Sequence, residues 1–224
     1  MANLSLETAN RLHEQLRTQI PDFEKSADYC ATILTSIGGK QETTFIMALK
    51  GVLKTQLMLC YINLDLCAAY RQYLSTDTST NYEKRQAMTK INVIMSEGYK
   101  KIYGFGESQQ KKSFWVSQIK VAIDSLGSYA DEYNRIEVLL KDMANDHVLN
   151  KEMRDLAIHY DDDPLKVYKM LSDLSAEDVT SRCNKFFGIL AEVTKFVWAL
   201  INHMTSSLAL DKQFTNISRQ YRTS

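Results

Sequence analysis

The sequence predicts an all-α fold, a bundle of about four long antiparallel helices with shorter ones around them. Three observations point there. Apolar residues recur at steps of three and four over most of the 224 residues, the spacing that lines one face of a helix. Two prolines and eight glycines are too few to interrupt long helices often. No run alternates apolar and polar residues as a half-buried strand would.

The elements follow in order. Leu6, Ala9, Leu12, Leu16 and Ile20 form a first stripe, which Pro21 is expected to end. Asp22 can cap a second helix carrying Phe23, Ala27, Cys30, Leu34 and Ile37, and Gly38-Gly39 stops it, because glycine adopts the left-handed cap conformation readily. Residues 1–40 thus read as an N-terminal helical pair. Residues 42–74 read as one helix on the order of 50 Å long, with Gly51 inside it at a cost of about 1 kcal/mol relative to alanine. A polar loop over 75–81 is rich in cap formers, and a further helix spans about Tyr82 to Tyr103 before Gly104-Phe105-Gly106 breaks it.

The stripe from Trp115 through Ile119, Ala122, Leu126, Tyr129, Tyr133, Ile136 and Leu140 to Met143 keeps its step across Gly127, so one helix is expected from Ser108 to Ala144. Asn145-Asp146-His147 then turns, and a short helix is expected from Leu149 to His159. Asp163-Pro164 is a helix start, with a cap residue before a proline at the first helical position, and that helix reaches Leu171. Ser175-Ala176-Glu177-Asp178 caps the last long helix, striped from Val179 to Met204. The whole chain, 1–224, is read as one helical domain: the pair 1–40, a core over 41–210 and a polar tail over 211–224.

Charge and cysteine usage narrow the function. Lys plus Arg and Asp plus Glu are each 27, so any nucleic-acid binding must come from a local patch. Cys30, Cys60, Cys67 and Cys183 form no Cys-x-x-Cys pair and lie at no zinc spacing to a histidine; small core residues in a reducing compartment are the expectation. No cofactor and no metal is expected. The first residues carry no basic region followed by an apolar core, and no uncharged apolar run approaches the ~20 residues of a bilayer span, so a cytoplasmic protein is expected.

Two stretches carry candidate chemistry. Arg154, Asp155 and His159 put a cation, a carboxylate and an imidazole within six residues. Arginine grips phosphate bidentately, and histidine moves protons near neutral pH. On a regular helix Arg154 and His159 point about 140° apart, so the helix must end or tighten for them to converge. The plain alternative is that Arg154 pairs with a nearby acid and His159 sits on a helix C-terminus. From Lys84 to Lys120 the chain holds eight basic residues against two acids, among them Lys100, Lys101, Lys111 and Lys112. Tyr99, Tyr103, Phe105 and Phe114 are interleaved and are candidates for stacking on bases.

Arg154-Asp155-x-x-x-His159 resembles the signature of the HEPN superfamily of all-α nucleic-acid-associated domains: an arginine followed by a polar residue, then a histidine a few residues on, near the last core helix. Together with the long helices around it, the likeness spans residues 42–205. It implies a metal-independent endoribonuclease of a defence or toxin-type system, or an inactive RNA-binding relative. Arg154 and His159 would be the catalytic pair, with Asp155 orienting them. It also implies a homodimer facing two motifs, and partners such as RNA, an antitoxin or a nucleotidyltransferase. Tyr160 and the acids Asp161–Asp163 are not part of that pattern. The other readings are a non-enzymatic helical interaction module and a small-molecule-binding bundle with a pocket between long helices.

Overall fold

The computed structural model describes residues 6–39, 41–75, 80–145, 149, 154–155 and 163–207. Among them every regular element is helical and no strand occurs, as the apolar stripes require. The elements are α1 (Leu6–Ile37), α2 (Thr44–Leu74), α3 (Asn81–Ile102), a short α4 (Glu107–Gln110), a π-helical turn (Trp115–Ile119) running into α5 (Lys120–Leu126), α6 (Ala130–Asn145), α7 (Pro164–Asp173) and α8 (Ala176–Ser207). The expected helix from Leu149 to His159, the turn at Asp146-His147 and the tail beyond Asp211 lie outside the described residues, apart from Leu149, Arg154 and Asp155.

Two boundaries differ from expectation. Pro21 does not end a helix; α1 runs through it, so there is no N-terminal pair. Proline removes one hydrogen bond and clashes with the preceding turn, at roughly 3 kcal/mol. The stripes on its two sides are in phase, and Leu16, Ala27, Cys30, Ile33 and Ile37 all bury in the core. Each large apolar side chain buried contributes about 1.5–3 kcal/mol, which offsets the cost of the proline. The single helix expected from Ser108 to Ala144 is instead divided. Gly127 caps α5 in the left-handed region at φ 63°, with its N–H on the Ile123 carbonyl at 3.0 Å. Tyr129 follows at φ 69°, and α6 starts at Ala130.

The caps read from the sequence hold. Asp163 Oδ1 accepts from the Leu165 N–H at 2.9 Å with Pro164 at the first turn of α7, and Ser175 Oγ accepts from the Asp178 N–H at 3.3 Å before α8. Thr80 and Glu83 form a reciprocal capping box at the start of α3.

α2 is the centre. α1, α3, α8 and the π-turn with α5 all pack on it. By length and composition α2 would pass for a membrane span, with a mean hydropathy of 1.4, but 61% of that window is buried inside the bundle. Its apolar excess serves four neighbours. Gly51 lets the π-turn approach: a Cβ there would lie 2.5 Å from Gln118 Oε1. The partners run antiparallel where contacts show it. Gln56 reaches Ser26 on α1, Tyr99 of α3 and Tyr103 just after it reach Leu140 and Glu137 of α6, and Arg135 of α6 and Tyr129 just before it reach Glu192 and His203 of α8. The four cysteines are free thiols buried in this core, as expected.

Candidate nucleic-acid interface

The C-terminal end of α3 sets up the basic corner. Tyr103 and Gly104 both donate their N–H to the Tyr99 carbonyl, at 2.8 and 3.0 Å, which closes the last turn. Gly104 then takes φ 89°, and a Cβ there would come within 2.9 Å of the Gln109 carbonyl carbon. Only glycine fits so tight a reversal. Gln109 Oε1 also accepts from the Phe105 N–H at 3.0 Å. The chain reverses there, with the Gln109–Gln110 backbone against Gly104, and Lys101, Lys111 and Lys112 are all exposed.

Arg154 reaches the same corner. Its Nη1 lies 3.5 Å from Glu97 Oε1, its Nε donates to Asp155 Oδ1 at 2.8 Å, and its guanidinium carbon stands 5.9 Å over the Phe105 ring centroid. Nη2 donates to the same Asp155 oxygen. The side chain is 12% exposed. Glu97 also pairs with Lys100 at 3.6 Å, so one carboxylate bridges the two stretches that the sequence singled out. Arg154 therefore anchors its segment to α3, through an acid as the plain alternative expected. A phosphate competing for this guanidinium would have to displace two carboxylates. His159 lies outside the described residues, as do Tyr160, Asp161 and Asp162.

The expected stacking surface is corrected. Tyr99 and Tyr103 are 1% and 2% exposed, so no base can reach them. Tyr99 donates to the Leu140 carbonyl at 3.0 Å, and Tyr103 to Glu137 Oε1 at 3.3 Å. Burial, with Glu137 beside it, pushes the Tyr103 phenol up to about 12, and burial pushes Tyr99 higher. Their place on the apolar stripe of α3 was the signal. Of the eight basic residues, Lys100 is tied to Glu97, and Lys120 to Asp124 at 3.0 Å.

One polar cluster escaped sequence reasoning. Arg182 is 7% exposed; its Nη1 donates to Asn92 Oδ1 at 2.6 Å and its Nε to Asp178 Oδ2 at 2.9 Å. Asn92 in turn donates to the Met88 carbonyl at 3.0 Å. The cluster pins α8 to α3, and only the Asp178–Arg182 spacing hinted at it. Elsewhere His13 lies 3.6 Å from Glu14, and His203 Nδ1 is 3.0 Å from the Tyr129 hydroxyl. No group of three or more potential metal ligands occurs among the described residues. No family model, curated protein or solved structure matches this chain.

Proposed function

We propose that the chain is an RNA-directed helical domain of the HEPN-like kind, and that it binds the phosphate backbone at the α3–α4 corner. The observation that carries this reading is that Lys101, Lys111 and Lys112 flank the Gly104 reversal in the chain, exposed and in no ion pair among the described residues, while Phe105 of the same turn stands under the Arg154 guanidinium. Paired as it is with Glu97 and Asp155, Arg154 favours a binder over a nuclease. With Tyr99 and Tyr103 in the core, binding rests on phosphate charge and carries little sequence preference.

Fluorescence anisotropy with a labelled single-stranded RNA tests it. Reversing Lys100, Lys101, Lys111 and Lys112 to Glu should weaken binding by roughly 10²-fold or more, and should lower the salt slope by about 0.7 per lost phosphate contact. Unchanged affinity in that variant overturns the assignment. A cleavage gel runs alongside. Products from the wild type that vanish in His159→Ala would replace the binder with a nuclease.

The reading carries a homodimer with it. One motif supplies half of an acid–base set, and Tyr82, Leu165 and Tyr168, at 62%, 54% and 65% exposure, stand outside the core. Light scattering should return twice the 25.7 kDa chain mass; a clean 25.7 kDa species removes the dimer.

A further inference from the structure

α1 and α8 both lie antiparallel on α2. Only six residues separate α1 from α2, so α1 folds back along it with Ser26 at Gln56, while Cys183 and Thr180 of α8 neighbour Cys67 and Tyr70 respectively. The two helices therefore run parallel to each other. They meet where the Tyr29 and Trp198 rings are 5.5 Å apart. Toward the other end they leave between them a groove of about 550 Å³, floored by α2. That volume falls within the range of ordinary small-molecule sites, roughly 300–1,000 Å³.

The lining says what would fit. Leu16, Phe23 and Phe187 make apolar walls. The floor holds Asn63, 4% exposed. Its amide donates to the Leu59 carbonyl at 2.8 Å, and its Oδ1 accepts no hydrogen bond. That oxygen is not closed off from solvent, so a ligand N–H or O–H entering the groove can reach it and form a hydrogen bond. The rim carries one acid, Asp22, and one base, Lys195, so it favours no net charge.

We propose that this groove binds a small uncharged molecule with a flat apolar body and one hydrogen-bond donor, seated with the donor on Asn63 Oδ1. The site is independent of the basic corner and involves no RNA.

N-phenyl-1-naphthylamine is a suitable probe, being neutral and apolar with a single N–H, and brightening in apolar surroundings. Titration into the wild type should saturate at one equivalent. Asn63→Leu should weaken binding by about tenfold, the worth of one hydrogen bond. The ether analogue, which lacks the N–H, should bind both forms alike. Ala191→Trp should abolish binding by filling the groove from its exposed rim, where the change leaves the fold intact. It serves alone if Asn63→Leu does not fold. No saturable binding, or Ala191→Trp binding like the wild type, overturns the site. Asn63→Leu binding unchanged overturns the donor assignment.

Discussion

Trp115→Ala is expected to lose about 3–5 kcal/mol of stability, the usual cost of deleting a buried tryptophan. Trp115 is fully buried on the π-turn. Its indole stacks on Tyr133 with centroids 4.7 Å apart and meets Phe196 at 5.9 Å. One side chain thus joins the π-turn, α6 and α8, and an alanine leaves a cavity that three helices must collapse to fill. Total stability of a domain is on the order of 5–15 kcal/mol, so the loss is a large share of it. Trp115→Phe separates packing from polarity. The indole Nε1 is buried without a hydrogen-bond partner, so phenylalanine keeps most ring contact and removes that cost. Urea midpoints at neutral pH should therefore rank wild type close to Trp115→Phe and well above Trp115→Ala. A loss under about 1 kcal/mol for the alanine would mean that the π-turn is not held this way.

Alkaline destabilisation is the second large effect. Burial pushes the thiols of Cys30 and Cys183 up to about 12, and that of Cys67 to about 11, from an ordinary 9.0. Folded values above the unfolded one mean that the folded chain holds its protons longer. The stability tied to them is complete below pH 9 and is withdrawn as the pH climbs from 9 toward 12. One unit of difference corresponds to about 1.4 kcal/mol, so Cys30 and Cys183 together should withdraw on the order of 5 kcal/mol by pH 11. The urea midpoint should stay flat from pH 7 to pH 8.5 and fall steeply above pH 9. The double variant Cys30→Ala, Cys183→Ala should fall less steeply over the same window. Parallel curves for the two proteins would show that other groups cause the decline.

Periodicity and cap chemistry, both local, were enough to determine the class and most of the ends. A stripe at steps of three and four can bury only as a helix, and Asp163-Pro164, Ser175 and the Thr80–Glu83 box satisfy backbone N–H groups that begin one. The cysteines were placeable too, since they lie on the stripes; Tyr99 lies on the stripe of α3 as well, although its aromatic ring beside lysines pointed to stacking on bases.

Tertiary packing decided the rest. Pro21 and Gly127 show why. Both sit within stripes that stay in phase, yet the chain continues through the proline and breaks at the glycine. Phase reports which face meets the core, not whether the backbone between is unbroken. α1 packs along α2 and buries side chains on both sides of the proline, whereas the chain after the π-turn redirects to bring Tyr133 onto Trp115. The same limit applies to the site. A motif names Arg154, but its partner Glu97 is 57 positions earlier on α3. Asn92 and Arg182 lie 90 apart. Which charges are free and which are already held depends on distances between helices, and those are set by side-chain packing across the bundle.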